Sequence, residues 1–304
     1  MCLADKAASR PAEVRIERAG KVWAMPGSSA FVEALREATA RYVLQQDVCD
    51  ACSNVTGEWA DLLTPANPRL RAPLTLFWIE WSEAPGQEAG ILVEAAADGR
   101  SGSLRLFWTG DAGVEVAQGE VLFDLDQPLA MHPRDGRRRF PLSGLPAELD
   151  FLQPHLALVF DEYWEDYFKA SPLGALALSQ AAAQCGANLC SDVIQALAFF
   201  ALLGARVPLA EKPVERGRLN KARAKAGKPI LLDHVQLTIG RPQPAHSAEH
   251  SWQDGSRRHP RLHSVRGHLV RRRDQIFWRA PHMRGLENAG RTAPPTRIVR
   301  MHSD

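Results

Sequence analysis

The chain reads LTLFWIEW at residues 74–81, GILVEAA at 90–96, SLRLFWT at 103–109 and VEVAQGEVLFDL at 114–125. Aliphatic, β-branched and aromatic residues dominate each run, as is typical of strands. Turn residues separate the runs: Pro85-Gly86, Asp98-Gly99 and Thr109-Gly110-Asp111. Short strands joined by close turns predict an antiparallel sheet, and with the helices predicted around it an α+β fold.

Two patterns precede the sheet. Residues 12–24, AEVRIERAGKVWA, predict a strand pair that turns at Ala19-Gly20. From Pro26, an apolar stripe at helical spacing predicts one helix that runs to about Asp47 and packs on the sheet. The stripe consists of Phe31, Leu35, Ala38 and Tyr42.

The middle of the chain changes to a helical pattern near residue 155, after a Pro- and Gly-rich connection. Pro172 to Gly204 predicts two packed helices divided near Cys185-Gly186. We therefore expect three parts: an acidic α+β region at 1–154, a helical segment at 155–210, and a basic β-rich module at 211–304.

The charge is divided unevenly between these parts. Residues 211–304 carry 20 Lys/Arg against 8 Asp/Glu, a net of +12, whereas residues 1–210 carry 17 against 27, a net of −10. Eight of the ten histidines also lie in the basic part. This asymmetry indicates either a polyanionic partner or mutual neutralisation of the two parts.

Nucleic-acid binding, to RNA or DNA, is the function that this charge favours. RLNKARAKAGKP at 218–229 predicts a short basic helix, and residues 262–270 with 275–280 predict a hairpin. Cations neutralise phosphates, and aromatic side chains stack on unpaired bases. The expected contacts are Arg218, Lys221, Lys225, Lys228, Arg271, Arg272, Arg273 and Trp278.

Metal-independent, ribonuclease-like cleavage is the first alternative. This reaction needs a base, an acid and cations around the charged transition state, and histidine titrates near neutral pH. The candidate catalytic residues are His263, Arg266, His268, Arg279, His282 and Arg284. Because a hairpin returns the chain toward its start, we expect His268 and His282 to approach one another beside Arg266.

A protein-interaction role is the second alternative, in which the basic module docks on an acidic host or phage protein. Arg- and His-rich strands can also form no more than a solvated sheet face, or pair with acids of the N-terminal part. The sequence leaves these alternatives open.

Two patterns in the sequence bear on zinc binding. One is a pair of cysteine motifs: Cys49 with Cys52, and Cys185 with Cys190. The other is a histidine set: His246 and His250 with His259 or His263. The spacing is loose, and buried structural thiols are common, so we expect no metal and no cofactor.

The C-terminal block reads LNKARAKAGKPILLDHVQLTI and, further on, HSVRGHLVRRRDQIFWRAPHMRG. It resembles a recurring block in uncharacterised proteins of bacteriophages and prophages, with Ile230 where that block has a second Pro. The resemblance implies an accessory protein of mobile-element origin and no mechanism. The matching positions are Asn220, Lys221, Arg223, Gly227, Lys228, Pro229, His263, Val265, Arg266, Gly267, His268, Pro281, His282, Arg284 and Gly285.

No segment predicts secretion or a membrane span. Residues 1–20 mix charges and lack the apolar core of a signal peptide. The longest apolar stretch, Val193 to Leu203, is about half of what a bilayer requires. We therefore expect a soluble, cytoplasmic protein. A dinucleotide fingerprint, a P-loop, a nucleophile elbow and a His-Glu-x-x-His motif are all missing from the sequence.

Overall fold

The computed structural model of this chain describes residues 1–84, 86–110, 113–131, 137–205, 207 and 209–239, and strands between 261 and 291. The described α-helices are α1 (Leu3–Ala8), α2 (Val32–Glu37), α3 (Gln46–Glu58), α4 (Glu162–Lys169), α5 (Ala175–Gly204) and α6 (Gly217–Lys225). Short 3-10 helices lie at Ser28–Phe31, Ala60–Leu63 and Ala147–His155.

The strands of the first 239 residues are β1 (Glu13–Arg18), β2 (Lys21–Pro26), β3 (Ala40–Leu44), β4 (Leu76–Ala84), β5 (Gln87–Ala95), β6 (Ser101–Gly110), β7 (Gly113–Val116), β8 (Gly119–Asp124), β9 (Phe140–Pro141), β10 (Leu156–Phe160), β11 (Leu209–Val214) and β12 (His234–Ile239). The later strands are β13 (Arg261–Val265), β14 (His268–Arg272), β15 (Gln275–Arg279), β16 (His282–Arg284) and β17 (Leu286–Arg291).

A ten-stranded sheet joins most of these elements in the order β11-β12-β3-β4-β5-β6-β8-β10-β9, with β7 paired to β6. Strands β4, β5, β6, β8 and β10 pair antiparallel in succession. The α+β class and the antiparallel sheet predicted from residues 74–125 are therefore confirmed. By contrast, β12 and β3 pair parallel, as do β3 and β4.

Side chains on the two faces of the sheet enter two separate cores. Phe77 of β4 is fully buried on one face, with its ring centroid 5.9 Å from that of Phe200 in α5. Trp78, the next residue, lies in the other core with Leu3 of α1 and Leu35 of α2. Because a strand directs successive side chains to opposite faces, the sheet is the middle layer between two sets of helices.

The hairpin predicted over residues 12–24 is confirmed. Strands β1 and β2 pair antiparallel with Arg18 opposite Lys21. Ala19 and Gly20 connect them with φ angles of 52° and 73°. These left-handed values are the ones that a tight two-residue hairpin turn requires.

The single helix predicted from Pro26 to about Asp47 is wrong. Ala38 leaves the helical conformation, with φ −51° and ψ 121°, and the chain continues as β3. In this strand Tyr42 pairs with Val235 of β12 and with Ile79 of β4. Two parallel neighbours supply the backbone hydrogen bonds of residues 40–44, so tertiary pairing overrides the local helical spacing.

The region expected to be helical from residue 155 differs in two ways. It begins with β10, whose five residues are all buried between β8 and β9. It then continues through α4 to α5, a single helix of 30 residues, so the predicted division near Cys185-Gly186 is wrong. Apolar side chains of a central strand and of a buried helix look alike in sequence, because both are buried on all sides.

Among the described helices, α5 is long and apolar enough to cross a membrane by length and composition. In the structure, 72% of its most apolar window is buried inside the protein. Phe199 and Phe200 of this helix contact Tyr42 and Phe123 of the sheet, with ring centroids 5.9 Å and 6.2 Å apart. This burial is that of the core helix of a globular protein.

The sheet also extends past the boundary expected at residue 210. Strands β11 and β12 form one edge of it, next to β3. Leu237 and Ile239 of β12 are 1% and 8% exposed within the main core. Residues 209–239 are therefore continuous with the α+β body, although their charge resembles that of the C-terminal residues.

Candidate functional site

Helix α6 and the loop after it present four of the cations predicted to contact nucleic acid. Arg218, Lys221 and Lys225 are exposed at i, i+3 and i+7, and Lys228 is exposed just after the helix. Within the described residues, none of these four side chains forms an ion pair or a hydrogen bond. Gly227, with a φ of 64°, follows the end of the helix, where glycine adopts this left-handed conformation most readily.

Hydrogen bonds fix the loop after α6 to the helix. The Asn220 amide donates to the carbonyl of Leu231 at 2.7 Å and accepts from the Leu231 N–H at 2.9 Å. Arg223 Nε donates to the carbonyl of Pro229 at 2.7 Å. The helix and the loop that carries Lys228 are thus one ordered segment, which holds the cations at set spacings.

The segment from residue 216 to 232 contains six Lys/Arg and no Asp/Glu. Acids flank it at Glu215 and Asp233, and the Asp233 carboxylate accepts the backbone N–H of Arg216 at 2.5 Å. A run of exposed cations without interspersed acids produces a positive surface potential, which attracts polyanions.

The structure pairs β14 with β15 antiparallel, with His268 opposite Arg279. Strand β13, expected to belong to the same arm as β14, pairs instead with β16 and β17. In that pairing His263 lies opposite Arg284 and His282 lies opposite Val265. His268 and His282, which we expected to approach one another, therefore belong to different strand pairs.

Two further predicted residues belong to the β14–β15 pair. Arg272 of β14 lies opposite Gln275, and Trp278 of β15 lies opposite Leu269. The candidates that lie outside the described residues are Arg266, Arg273, His246, His250 and His259.

Arg271 is bound within the protein. Its guanidinium lies 2.7 Å from the Asp61 carboxylate and 5.0 Å above the ring of Trp59. Leu269, two residues earlier in β14, is 2% exposed in the main core. This cation, which we predicted to contact phosphate, forms an ion pair with an acid of the N-terminal part, the pairing that one of the alternatives describes.

A polar cleft of about 610 Å³ lies between α1, the end of β3, β4 and the start of β12. Its lining includes Cys2, Gln45, Glu80, Arg216, His234 and Gln236. The sequence analysis missed this site because its residues come from distant segments. A usable signal was Glu80, an acid inside the apolar run LTLFWIEW.

Glu80 organises one wall of the cleft. Its carboxylate accepts hydrogen bonds from the backbone N–H groups of Leu3 and Ala4, at 3.2 Å and 3.1 Å, and from Trp78 Nε1 at 2.8 Å. Burial raises the pKa of Glu80, although these donors oppose the shift. The carboxylate thereby ties the first turn of α1 to β4.

Cys2 and His234 lie together at the same wall. The Cys2 Sγ is 3.6 Å from His234 Nδ1 and 3.7 Å from Nε2. Burial, and then the charges of Glu80 and Asp5, raise the pKa of Cys2 to about 12. Because the thiolate is the nucleophilic form, this thiol is not activated at neutral pH.

The cysteines of the two sequence motifs lie within helices, Cys49 and Cys52 in α3 and Cys185 and Cys190 in α5. Among the described residues, none of these four cysteines forms a disulfide bond. Burial raises the pKa of Cys185 to about 11 and also raises those of Cys52 and Cys190. Across the described part of the chain, no three His, Cys, Asp or Glu residues form a group able to hold a metal ion.

No protein-family model, no curated protein and no solved structure matches this chain.

Proposed function

We propose that this protein binds nucleic acid through the basic segment at residues 216–232. The observation that carries the proposal is the set of exposed cations on α6 and its loop, which form no ion pair among the described residues. Phosphate contacts provide most of the affinity in sequence-independent binding. Binding of RNA or DNA is therefore the activity that this surface supports best.

The segment lies within the block that resembles phage and prophage proteins. Asn220 and Arg223, two matching positions, hold the loop against the helix. This structural role supports the proposal, because it keeps Lys221, Lys225 and Lys228 on one ordered surface. We extend the proposal to an accessory role in a mobile element.

The test measures how binding depends on salt. We expect the full chain to bind labelled single-stranded RNA or duplex DNA at low salt, and affinity to fall steeply between about 50 and 200 mM salt. Lys221→Ala/Lys225→Ala should weaken binding to all sequences and flatten the log–log salt slope by about 1–2 units. Fluorescence anisotropy over a salt series checks both quantities.

A charge-matched control is Lys21→Ala/Arg36→Ala, which removes two exposed cations outside the basic segment. This control should leave the salt slope unchanged. Absence of binding at low salt, or equal slopes for the two double variants, would reject the proposal.

A further inference from the structure

The polar cleft contains acids whose hydrogen-bonding capacity is already occupied. Glu80 accepts three hydrogen bonds, from Leu3, Ala4 and Trp78. Glu88 accepts from Lys6 Nζ at 2.8 Å and 2.9 Å and from the hydroxyl of Thr109. The Lys6 ammonium offsets the charge of Glu88, and three donors already bind the Glu80 carboxylate, so neither acid is a free partner for a cationic ligand.

Other groups in the same cleft remain unused. The half-buried side-chain amides of Gln45 and Gln236 form no hydrogen bond among the described residues. The half-buried guanidinium of Arg216 forms none either, and its Nε is completely shielded from solvent. Buried donors without acceptors are costly and are normally satisfied by water or a ligand.

The unused groups define the chemistry of a fitting ligand. A side-chain amide offers one donor and one acceptor together, which is the pattern that matches the edge of a nucleobase. A guanidinium is the preferred partner of a phosphate. The volume of about 610 Å³ falls within the usual size of small-molecule sites.

We propose that the cleft binds one nucleotide, with the base against Gln45 and Gln236 and the phosphate at Arg216. The nucleotide has two possible sources, a free mononucleotide or one residue of a strand bound along α6. Arg216 directly precedes α6, so a phosphate held there continues the row of cations on that helix. The strand source rests on the proposed nucleic-acid binding; the free source does not.

Calorimetric titration of the full chain with AMP, GMP, CMP and UMP tests the free source. We expect at least one of them to bind, and Gln236→Ala to raise its Kd about five-fold through loss of a hydrogen-bonded pair. Arg216→Ala should weaken binding of the monophosphate more than that of the matching nucleoside.

Matched controls test whether the effects on binding are specific to side chains of the cleft. Gln127→Ala and Arg71→Ala remove exposed side chains of the same types and should change nothing. Gln236→Glu keeps the size of the side chain while removing its donor, so it tests the site even if Gln236→Ala unfolds. Thermal melting establishes that each variant is folded.

Binding of single-stranded RNA by the same variants tests the strand source. We expect Gln236→Ala and Gln236→Glu to weaken strand binding, and Gln236→Ala to do so without changing the salt slope, because a glutamine releases no counterion. The cleft proposal is overturned if no mononucleotide binds and folded cleft variants bind the strand normally. If Lys221→Ala/Lys225→Ala still weakens strand binding in that experiment, the proposed nucleic-acid binding through α6 stands while the cleft proposal falls. If a mononucleotide binds but strand binding does not depend on salt, the cleft proposal stands while the proposed nucleic-acid binding through α6 falls.

Discussion

At the scale of single residues, Glu80 shows how one side chain joins distant parts of the protein. It lies on β4 beside Trp78, and its carboxylate accepts the first free N–H groups of α1. A carboxylate at a helix N-terminus satisfies donors that have no partner within the helix. The same charge lies next to the Cys2 thiol and raises its pKa.

The reactivity of Cys2 should reflect this environment. Its pKa of about 12, against an ordinary value of 9.0, means that the folded protein retains the thiol proton in a pH range where the unfolded chain releases it. The contribution of Cys2 to the free energy of unfolding is therefore complete below pH 9, and it declines as the pH rises from 9 toward the pKa of this thiol in the folded protein. At pH 8, we expect iodoacetamide to alkylate Cys2 at least about a hundred-fold more slowly in the folded than in the denatured protein.

Substitution at Glu80 separates charge from burial. Glu80→Gln should speed alkylation of Cys2, because removal of the negative charge lowers the thiol pKa. Glu58→Gln, at an exposed position on α3, is the control and should have no effect. Peptide mass spectrometry follows the modification of each cysteine. Equal rates in the folded and denatured protein would contradict the pKa assignment.

At the scale of elements, α5 depends on a glycine that sequence reasoning takes for a break. A Cβ on Gly186 would lie 2.8 Å from the backbone N of Ser143 and 3.5 Å from its Cβ. The connection before β10 therefore crosses α5 in close contact. Glycine costs helix stability by itself, and the close packing offsets this cost.

Two glycine substitutions should therefore have opposite effects. Gly186→Ala should destabilise the protein by about 1–2 kcal/mol, because overpacking against a backbone outweighs the gain in helix propensity. Gly57→Ala in α3, where a Cβ would meet nothing within 4 Å, should stabilise it by about 0.5–1 kcal/mol. Urea unfolding of both variants checks the signs. A stabilising effect of Gly186→Ala would contradict the close contact between α5 and the backbone of Ser143.

At the scale of the whole molecule, the charge boundary and the structural boundary differ. β12 is inserted between β11 and β3, and the Leu237 carbonyl accepts the N–H of Gln45 at 3.0 Å. Asp5 near the N-terminus accepts the N–H of Leu232 at 2.6 Å. Residues 209–239 are therefore required to complete both the sheet and the environment of α1.

Truncation at two positions tests this continuity. A chain that ends at residue 207 lacks β11 and β12, leaves the edge of β3 unpaired and loses burial of Leu237 and Ile239, so we expect no cooperative unfolding transition. A chain that ends at residue 239 keeps the sheet and should unfold cooperatively. Circular dichroism during thermal melting compares them. Equal transitions for the two chains would support a domain boundary near residue 210.

The sequence by itself determined the features that depend on neighbours along the chain. These are the antiparallel strands of residues 74–125, the hairpin turn at Ala19-Gly20 and the basic helix α6. Each of these elements is predicted by residues within about a dozen positions of one another, through alternation, helical spacing or turn residues. The charge asymmetry is equally visible in sequence, and the nucleic-acid partner inferred from it stays a prediction.

The tertiary structure alone decided which distant segments pair. Residues 40–44 become a strand because β12 and β4 lie on either side, and α5 continues through Gly186 because Ser143 packs there. The cleft brings Cys2 to His234, 232 positions apart in sequence. No local sequence pattern predicts this contact, because it results from the order of the strands in the sheet. That order depends on how the sheet is buried between its two layers of helices.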